Sequence, residues 1–200
     1  FALRRAALGV VKIAIEHKID IDFKTIIEDL KINYTNLDTK LLLEFFNERL
    51  FKIFNVNPTV LKAVLSSGES NIYKVYQKVE ALNPVVESDN FKDYSATFKR
   101  VANIVKDVDL NSDLNVNSSL FEQVEEKELF NNFEKIKATN FLSFDEELEA
   151  LFSLKPQLDS FFEKVFVNHE DEKIKMNRKN LIAQVYLGFR NIADIKEITI

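Results

Sequence analysis

The chain contains no cysteine, which excludes disulfides, thiolate metal sites and thiol nucleophiles together. Glycine and proline are nearly as scarce, with three of each in 200 residues. Chains of many short strands need both types at their turns, so this scarcity selects helices. No apolar run approaches the roughly 18 residues of a membrane span, and no signal-peptide pattern opens the sequence. A soluble protein of the reducing cytoplasm is expected. An excess of positive charge is also lacking: the net charge of −5 argues against binding nucleic acid by bulk electrostatics and leaves room only for a local basic face.

What the chain does have is apolar material. A hydrophobic fraction of 46% with 18 Phe suits one sizeable core or two small helical subdomains, not a disordered segment. Phe1 stands where an initiator Met would, and Phe1-Ala-Leu-Arg-Arg5 reads as the inside of a helix. The sequence is therefore expected to be a piece of a longer polypeptide.

Helical periodicity runs through most of it. From Phe1 to His17, Leu3, Ala7, Val10, Val11 and Ala14 share a spacing, with Arg4 and Arg5 on the polar side. Gly9 inside that helix costs about 1 kcal/mol against Ala unless it admits a close crossing. Phe23, Ile26, Ile27 and Leu30 follow at i, i+3, i+4 and i+7. Leu41, Leu42, Phe45, Phe46, Leu50, Ile53 and Phe54 form the widest stripe, opposite Glu44, Glu48 and Lys52, and this helix is expected at the centre of the core. Asn57-Pro58 starts a helix and Ser67-Gly68 stops it. A further helix spans Ser70 to Leu82, and Asn83-Pro84 repeats the start signal. Ser119 with Glu122 and Ser143 with Glu146 fit the capping box and open two more helices. Lys155-Pro156 restarts the chain into a helix ending near Val167, and the last helix runs from about Asp171 to Ala193 with Ile174, Leu181, Val185, Phe189 and Ile192 inward. The Asp- and Asn-rich stretch from Asp107 to Asn117 is expected as a loop or linker. It divides an N-terminal helical segment, residues 1–108, from a C-terminal one, residues 118–200, with 109–117 between them.

Motifs that carry catalytic chemistry are mostly absent from the sequence. His17 and His169 have no second His at a metal-ligand spacing. No glycine-rich phosphate loop and no nucleophile elbow occur. The adjacent carboxylates Glu146-Glu147 and Glu170-Asp171-Glu172 belong to caps and turns, whereas acid–base catalysis needs two groups held across a substrate. Glu122, Glu125, Glu126 and Glu128 read as a solvated acidic patch or a contact for a basic partner. No active site is expected, so binding is the remaining category. The most regular helix, Phe91 to Val108, puts Phe91, Tyr94, Phe98, Val101, Ala102 and Val105 on one face. Lys92, Lys99, Asn103 and Lys106 line another, with Arg100 at its flank. That second face is either an ordinary solvated surface or a stripe that contacts phosphates.

Several ordered landmarks resemble the C-terminal region of the β subunit of the bacterial glycyl-tRNA synthetase that is built from separate α and β chains. They are Phe1-Ala-Leu-Arg-Arg-Ala-Ala-Leu-Gly9, Leu43-Glu-Phe-Phe-Asn-Glu-Arg-Leu50, Lys99-Arg-Val-Ala-Asn-Ile104, the run from Pro156 to Val167, the run from Asp171 to Gln184, and Phe189-Arg-Asn-Ile-Ala-Asp194. The resemblance spans essentially the whole chain. It implies an all-α multi-helix bundle like the anticodon-binding domain of arginyl-tRNA synthetase, with the N-terminal segment including the helix that leaves the preceding body of the β subunit. It also implies a role in the ATP- and Mg2+-dependent attachment of glycine to tRNA(Gly). The aminoacylation centre would lie mainly on the α subunit, two α and two β chains would assemble, and this piece would bind tRNA without a cofactor of its own.

The residues expected to touch tRNA are Lys92, Lys99, Arg100, Asn103, Lys106, Lys175, Asn177, Arg178, Lys179 and Arg190, with Tyr186 available for stacking on a base. Where the family carries Ala-Leu-Arg, this chain has Lys173-Ile-Lys175, which keeps positive charge but not a planar guanidinium fork. Asn177 and Arg178 match the family pattern. They read equally as RNA contacts or as helix-start groups paired with Glu172 or Asp171. A rival reading makes the whole bundle a scaffold that docks the α subunit, with the acidic helix after Ser119 in its favour.

Overall fold

The computed structural model describes residues 2–199. Among these are ten α-helices and three short 3-10 turns, and the one extended pairing is an antiparallel bridge between Asp22 and Asn71. The chain is all-α, as its shortage of glycine and proline predicts. Among the described residues no helix is long and apolar enough to cross a membrane. The helices form two compact units, residues 2–86 with 197–199, and residues 87–196.

The first unit contains α1 (Ala2–Glu16), α2 (Phe23–Leu30), α3 (Thr39–Ile53), α4 (Pro58–Ser66) and nearly all of α5 (Ile72–Glu87). Its helix starts follow local chemistry: Asp22 accepts from the Thr25 N–H at 2.9 Å, Asp38 from Leu41 at 3.0 Å and Asn57 from Thr59 at 3.0 Å. Each satisfies a donor that the first turn leaves without a partner. Gly68, with φ +95°, closes α4 in the left-handed region that a side chain would disfavour.

The core of this unit lies on α4 and α5, where Val60, Leu61, Val64, Ile72, Val75, Val79 and Leu82 are buried. The expectation for α3 therefore fails. It packs against α1, α2 and α4, yet only Arg49 and Leu50 are buried along it and Leu41 is 62% exposed. Leu3 and Val10 of α1 are exposed as well. Apolar spacing defines a stripe, but nothing in it says what will cover the stripe. The break expected at Asn83-Pro84 is also absent. Helix α5 continues through Pro84 to Glu87, although proline removes one ladder donor there.

One buried pair ties down the turn before α5. Lys78 donates to Glu69 at 2.8 Å, while the other Glu69 oxygen accepts from the backbone N–H groups of Ser70 and Asn71. Burial raises the Glu69 carboxyl, but the Lys78 hydrogen bond, the Asn71 N–H and the nearby ammonium charges outweigh it and hold the group below its ordinary value.

The second unit contains α6 (Phe91–Ile104), which continues into a 3-10 turn at Val105–Asp107, then α7 (Val124–Ala138), α8 (Phe144–Phe152), α9 (Lys155–Lys164) and α10 (Glu172–Arg190). Helix α10 is its axis. Leu181, Ile182, Ala183, Val185 and Phe189 are buried, and the helix packs against α6, α7 and α8. Phe98, Phe152 and Phe189 meet with ring centroids 4.3, 5.3 and 5.4 Å apart in tilted and edge-to-face pairs. Gly188 lets α7 come this close, because a Cβ there would sit 2.9 Å from a ring carbon of Phe133.

The cap expected at Ser143 is present, with the Glu146 N–H donating to Ser143 at 3.3 Å and the Leu142 N–H to the Glu146 carboxylate. The cap expected at Ser119 is not. Ser119 sits in a 3-10 turn, and α7 starts at Val124, where Glu126 accepts from the N–H groups of Glu122 and Gln123.

Composition alone puts the division at 109–117. The compact units divide at 86/87, and the 109–117 segment lies inside the second. It carries no helix, so its backbone groups need other partners, and α10 supplies them. Asn177 donates to the Asn117 carbonyl and accepts from the Asn117 N–H. Asn180 donates to the Asn115 carbonyl and Gln184 to that of Leu114.

Candidate nucleic-acid interface

Helix α6 buries Phe91, Phe98, Val101 and Ala102, followed by Val105, and turns Lys92, Lys99, Arg100, Asn103 and Lys106 to solvent. The face expected from spacing therefore exists. A groove opens on each side of it. The first, about 510 Å³, lies between α6 and the segment linking α9 to α10. It is lined by Arg100, Asn103, Phe162, Phe166, Asn168 and Lys179 among others, with Asp107 and Glu163 also contributing. Arg100 lies 4.5 Å above the Phe162 ring and donates to the Phe162 carbonyl at 3.1 Å, which fixes the guanidinium at the groove edge.

The second groove, about 580 Å³, is lined by Lys99, Asn103, Lys106 and Lys196 over an apolar floor that includes Ala102, Val105 and Leu110, and no carboxylate lines it. Lys196 is positioned by Asp194, whose other carboxylate oxygen accepts from the Tyr186 hydroxyl at 2.8 Å.

The remaining expected residues lie elsewhere. Lys92 is exposed on α6 but lines neither groove. Lys175 is half-buried and pairs with Glu172 at 3.0 Å. Arg190 lies at the far end of α10, about 16 Å along the axis from Lys179 at 1.5 Å per residue. Asn177 and Arg178 are buried. Asn177 holds the loop at Asn117, and Arg178 donates through Nε and Nη2 to Glu126 at 2.9 and 3.1 Å, through Nη2 to Glu122 at 2.8 Å, and through Nη1 to the Phe166 carbonyl at 3.0 Å. Burial alone would lower the Arg178 pKa, but the two carboxylates raise it further above its already high ordinary value. Neither pairing expected for Arg178, with Asp171 or with Glu172, is made. Asp171 instead caps α10 through the N–H groups of Lys173 and Ile174.

This network also corrects the acidic patch. Glu126 is 0% exposed, Glu125 is buried and pairs with Lys164 at 2.8 Å, and the sequence expectation of a solvated surface does not hold for these two. Tyr186 lines the second groove but is almost fully buried, with its hydroxyl donating to Asp194. Two residues that sequence reasoning misses stand at the grooves, Lys196 and Phe166. Lys196 follows the last helix and has no periodicity to reveal it. Apolar spacing puts Phe166 at the end of α9, but that helix stops at Lys164 because Val165 is extended, with φ −101° and ψ 118°. The run Val165-Phe-Val167, rich in residues that favour extended backbone, is the available signal.

Among the described residues no group of three or more His, Cys, Asp or Glu side chains is arranged to hold a metal ion. The second groove offers cations and an amide, suited to an anionic ligand, while the first mixes cations and amides with Asp107 and Glu163.

Comparison with known proteins agrees with the landmarks. The family model described as glycyl-tRNA synthetase beta subunit matches residues 1–66. The glycine–tRNA ligase beta subunit of Helicobacter pylori (strain Shi470) is 36% identical over 207 residues, covering 100% of this chain and 30% of the relative. That of Sulfurihydrogenibium sp. (strain YO3AOP1) is 34% identical, covering 99% and 29%, and that of Clostridioides difficile (strain 630) is 32% identical, covering 99% and 30%. The chain spans about three-tenths of the length of these curated relatives. From end to end of its sequence, it belongs to the glycyl-tRNA synthetase β-subunit family.

Proposed function

We propose that the second unit binds tRNA(Gly), in the manner of an anticodon-recognition domain, for an enzyme that attaches glycine to that tRNA with ATP and Mg2+ in the cytoplasm. In this reading the complete β chain works with an α subunit, two of each, and the α subunit carries most of the aminoacylation centre. The likeness to the anticodon-binding fold of arginyl-tRNA synthetase belongs to the same reading.

The observation that carries the proposal is the convergence of Lys99 and Lys106 with Asn103, and of Lys196 held by the buried Asp194, on one groove whose lining has no carboxylate. On a chain of net charge −5, such a site is a local exception suited to backbone phosphates. Single-stranded anticodon bases could then be read beside it. The test is Lys99→Ala, Arg100→Ala and Lys106→Ala together in the complete enzyme. The tRNA(Gly) affinity is expected to fall, and the salt dependence of log K to become shallower by about 2, at roughly 0.7 per phosphate contact for single strands. An unchanged affinity and slope would overturn the proposal.

The alternative, docking of the α subunit, now rests on a different surface. Burial of Glu125 and Glu126 removes its acidic-helix support, whereas Leu3, Val10 and Ile13 of α1 are exposed at a spacing that puts them along one side of the helix. Replacing these three by Ser and measuring α-subunit association separates the two readings.

A further inference from the structure

We infer that Phe166 is a stacking platform for one unpaired base of the bound RNA, with the groove between α6 and the α9–α10 linker as its pocket. The inference rests on the tRNA-binding reading above. Phe166 is 69% exposed, whereas its neighbour Val165 is buried. An exposed phenyl ring in a unit that buries Phe91, Phe98, Phe133, Phe152, Phe161, Phe162 and Phe189 is not explained by core packing.

Its backbone is held in place. The Phe166 carbonyl accepts from Nη1 of Arg178 at 3.0 Å, and Arg178 is itself 2% exposed and bonded to Glu126. The ring is therefore presented from an anchored point, so little order has to be gained on binding. Around it the groove carries Arg100, Asn103, Asn168 and Lys179, with Asp107 and Glu163 also on its wall. A purely apolar partner would leave Asn103, Asn168 and Lys179 unengaged, and a purely anionic one would leave the ring unused. A nucleotide matches both, its base on the phenyl face and its edge and phosphate among the amide and cationic groups.

Asn103 lines this groove and also the lysine-lined one. The two grooves thus adjoin along α6, and a strand with its phosphates on Lys99, Lys106 and Lys196 would bring its next base toward Phe166. The buried Arg178, whose sequence context reads equally as an RNA contact or as an ion-paired helix-start group, acts as a positioning residue for the ring.

The experiment compares Phe166→Ala, Phe166→Trp and the Lys99, Arg100, Lys106 triple variant in the complete α/β enzyme. Probes are tRNA(Gly) and its isolated anticodon stem-loop. Phe166→Ala is expected to weaken binding of both by about five- to a hundred-fold, or ~1–3 kcal/mol at 1.4 kcal/mol per tenfold, with an unchanged salt slope. Phe166→Trp is expected to restore binding, with its fluorescence quenched on RNA addition. If Phe166→Ala binds normally while the triple variant does not, the stacking inference is overturned and the tRNA reading survives. If neither variant loses affinity, both are overturned. A loss in Phe166→Ala that comes with a lowered Tm and is not rescued by Trp would mark a folding role, and loss of α-subunit association alone would mark a protein contact; either result also overturns the inference.

Discussion

Replacing Arg178 by Met leaves Glu126, which has no exposed surface, facing the protein interior without a cation, and leaves the Phe166 carbonyl without its Arg178 donor. The link to Glu122 contributes less, because that side chain is 46% exposed and solvent screens it. Breaking a buried pair by removing one partner costs about 3–5 kcal/mol. For a unit of roughly a hundred residues, at roughly 4 °C per kcal/mol, that is a fall in Tm of about 12–20 °C. Differential scanning calorimetry reads it, with the lowered transition assigned to the second unit. Adding Glu126→Gln removes the unpaired charge while keeping an oxygen to accept from the Glu122 and Gln123 N–H groups. The double variant is therefore expected to recover most of the loss. A fall of less than about 4 °C in the single variant, or no recovery in the double, would refute the claim that this ion pair holds the unit together. So would weakened tRNA binding at unchanged stability, which would return Arg178 to the set of RNA contacts.

Two further outcomes follow from the same packing. Gly188→Ala drives a Cβ to 2.9 Å from Phe133 and is expected to destabilise by about 1–3 kcal/mol despite the better helix propensity of Ala, whereas Gly9→Ala, with no atom within 4 Å of the new Cβ, is expected to stabilise by about 0.5–1 kcal/mol; their thermal shifts should have opposite signs. The Glu69 carboxyl is held below its ordinary value of 4.5, so its contribution is complete above that pH and is lost as the pH falls through the folded-state value; Glu69→Gln is expected to lower stability at pH 7 and to flatten the acid limb below about pH 4.5 in urea titrations.

Much of the local structure is legible in the sequence because its causes are local. Asn57-Pro58, Ser143 and Asp171 start helices with groups two or three residues away, and the two faces of α6 follow from the spacing of its own residues. What escapes depends on distant segments of the chain. The stripe of α3 is as regular as that of α6, but its coverage depends on what packs against it. Glu126 reads as surface because its cation stands 52 residues away, and the same distance hides the burial of Arg178. Asn83-Pro84 has the composition of a helix start, yet α5 absorbs it. At the candidate site, Lys99, Arg100, Asn103, Lys106 and Lys179 are brought to the grooves, while Lys92, Lys175 and Arg190 are not. Asn177 matches the family landmark but holds the loop, showing that a shared pattern can mark a structural duty as readily as a contact.

The ties from Asn177, Asn180 and Gln184 to Leu114, Asn115 and Asn117 all end on main-chain atoms of the loop. A helix that grips another segment by its peptide groups does not depend on that segment's side chains. Substitutions at Asn111 and Ser112 are therefore expected to leave this grip intact, whereas substitution of the three amides on α10 is expected to loosen it. The irregular segment is thus kept in place by a tether encoded some seventy residues later.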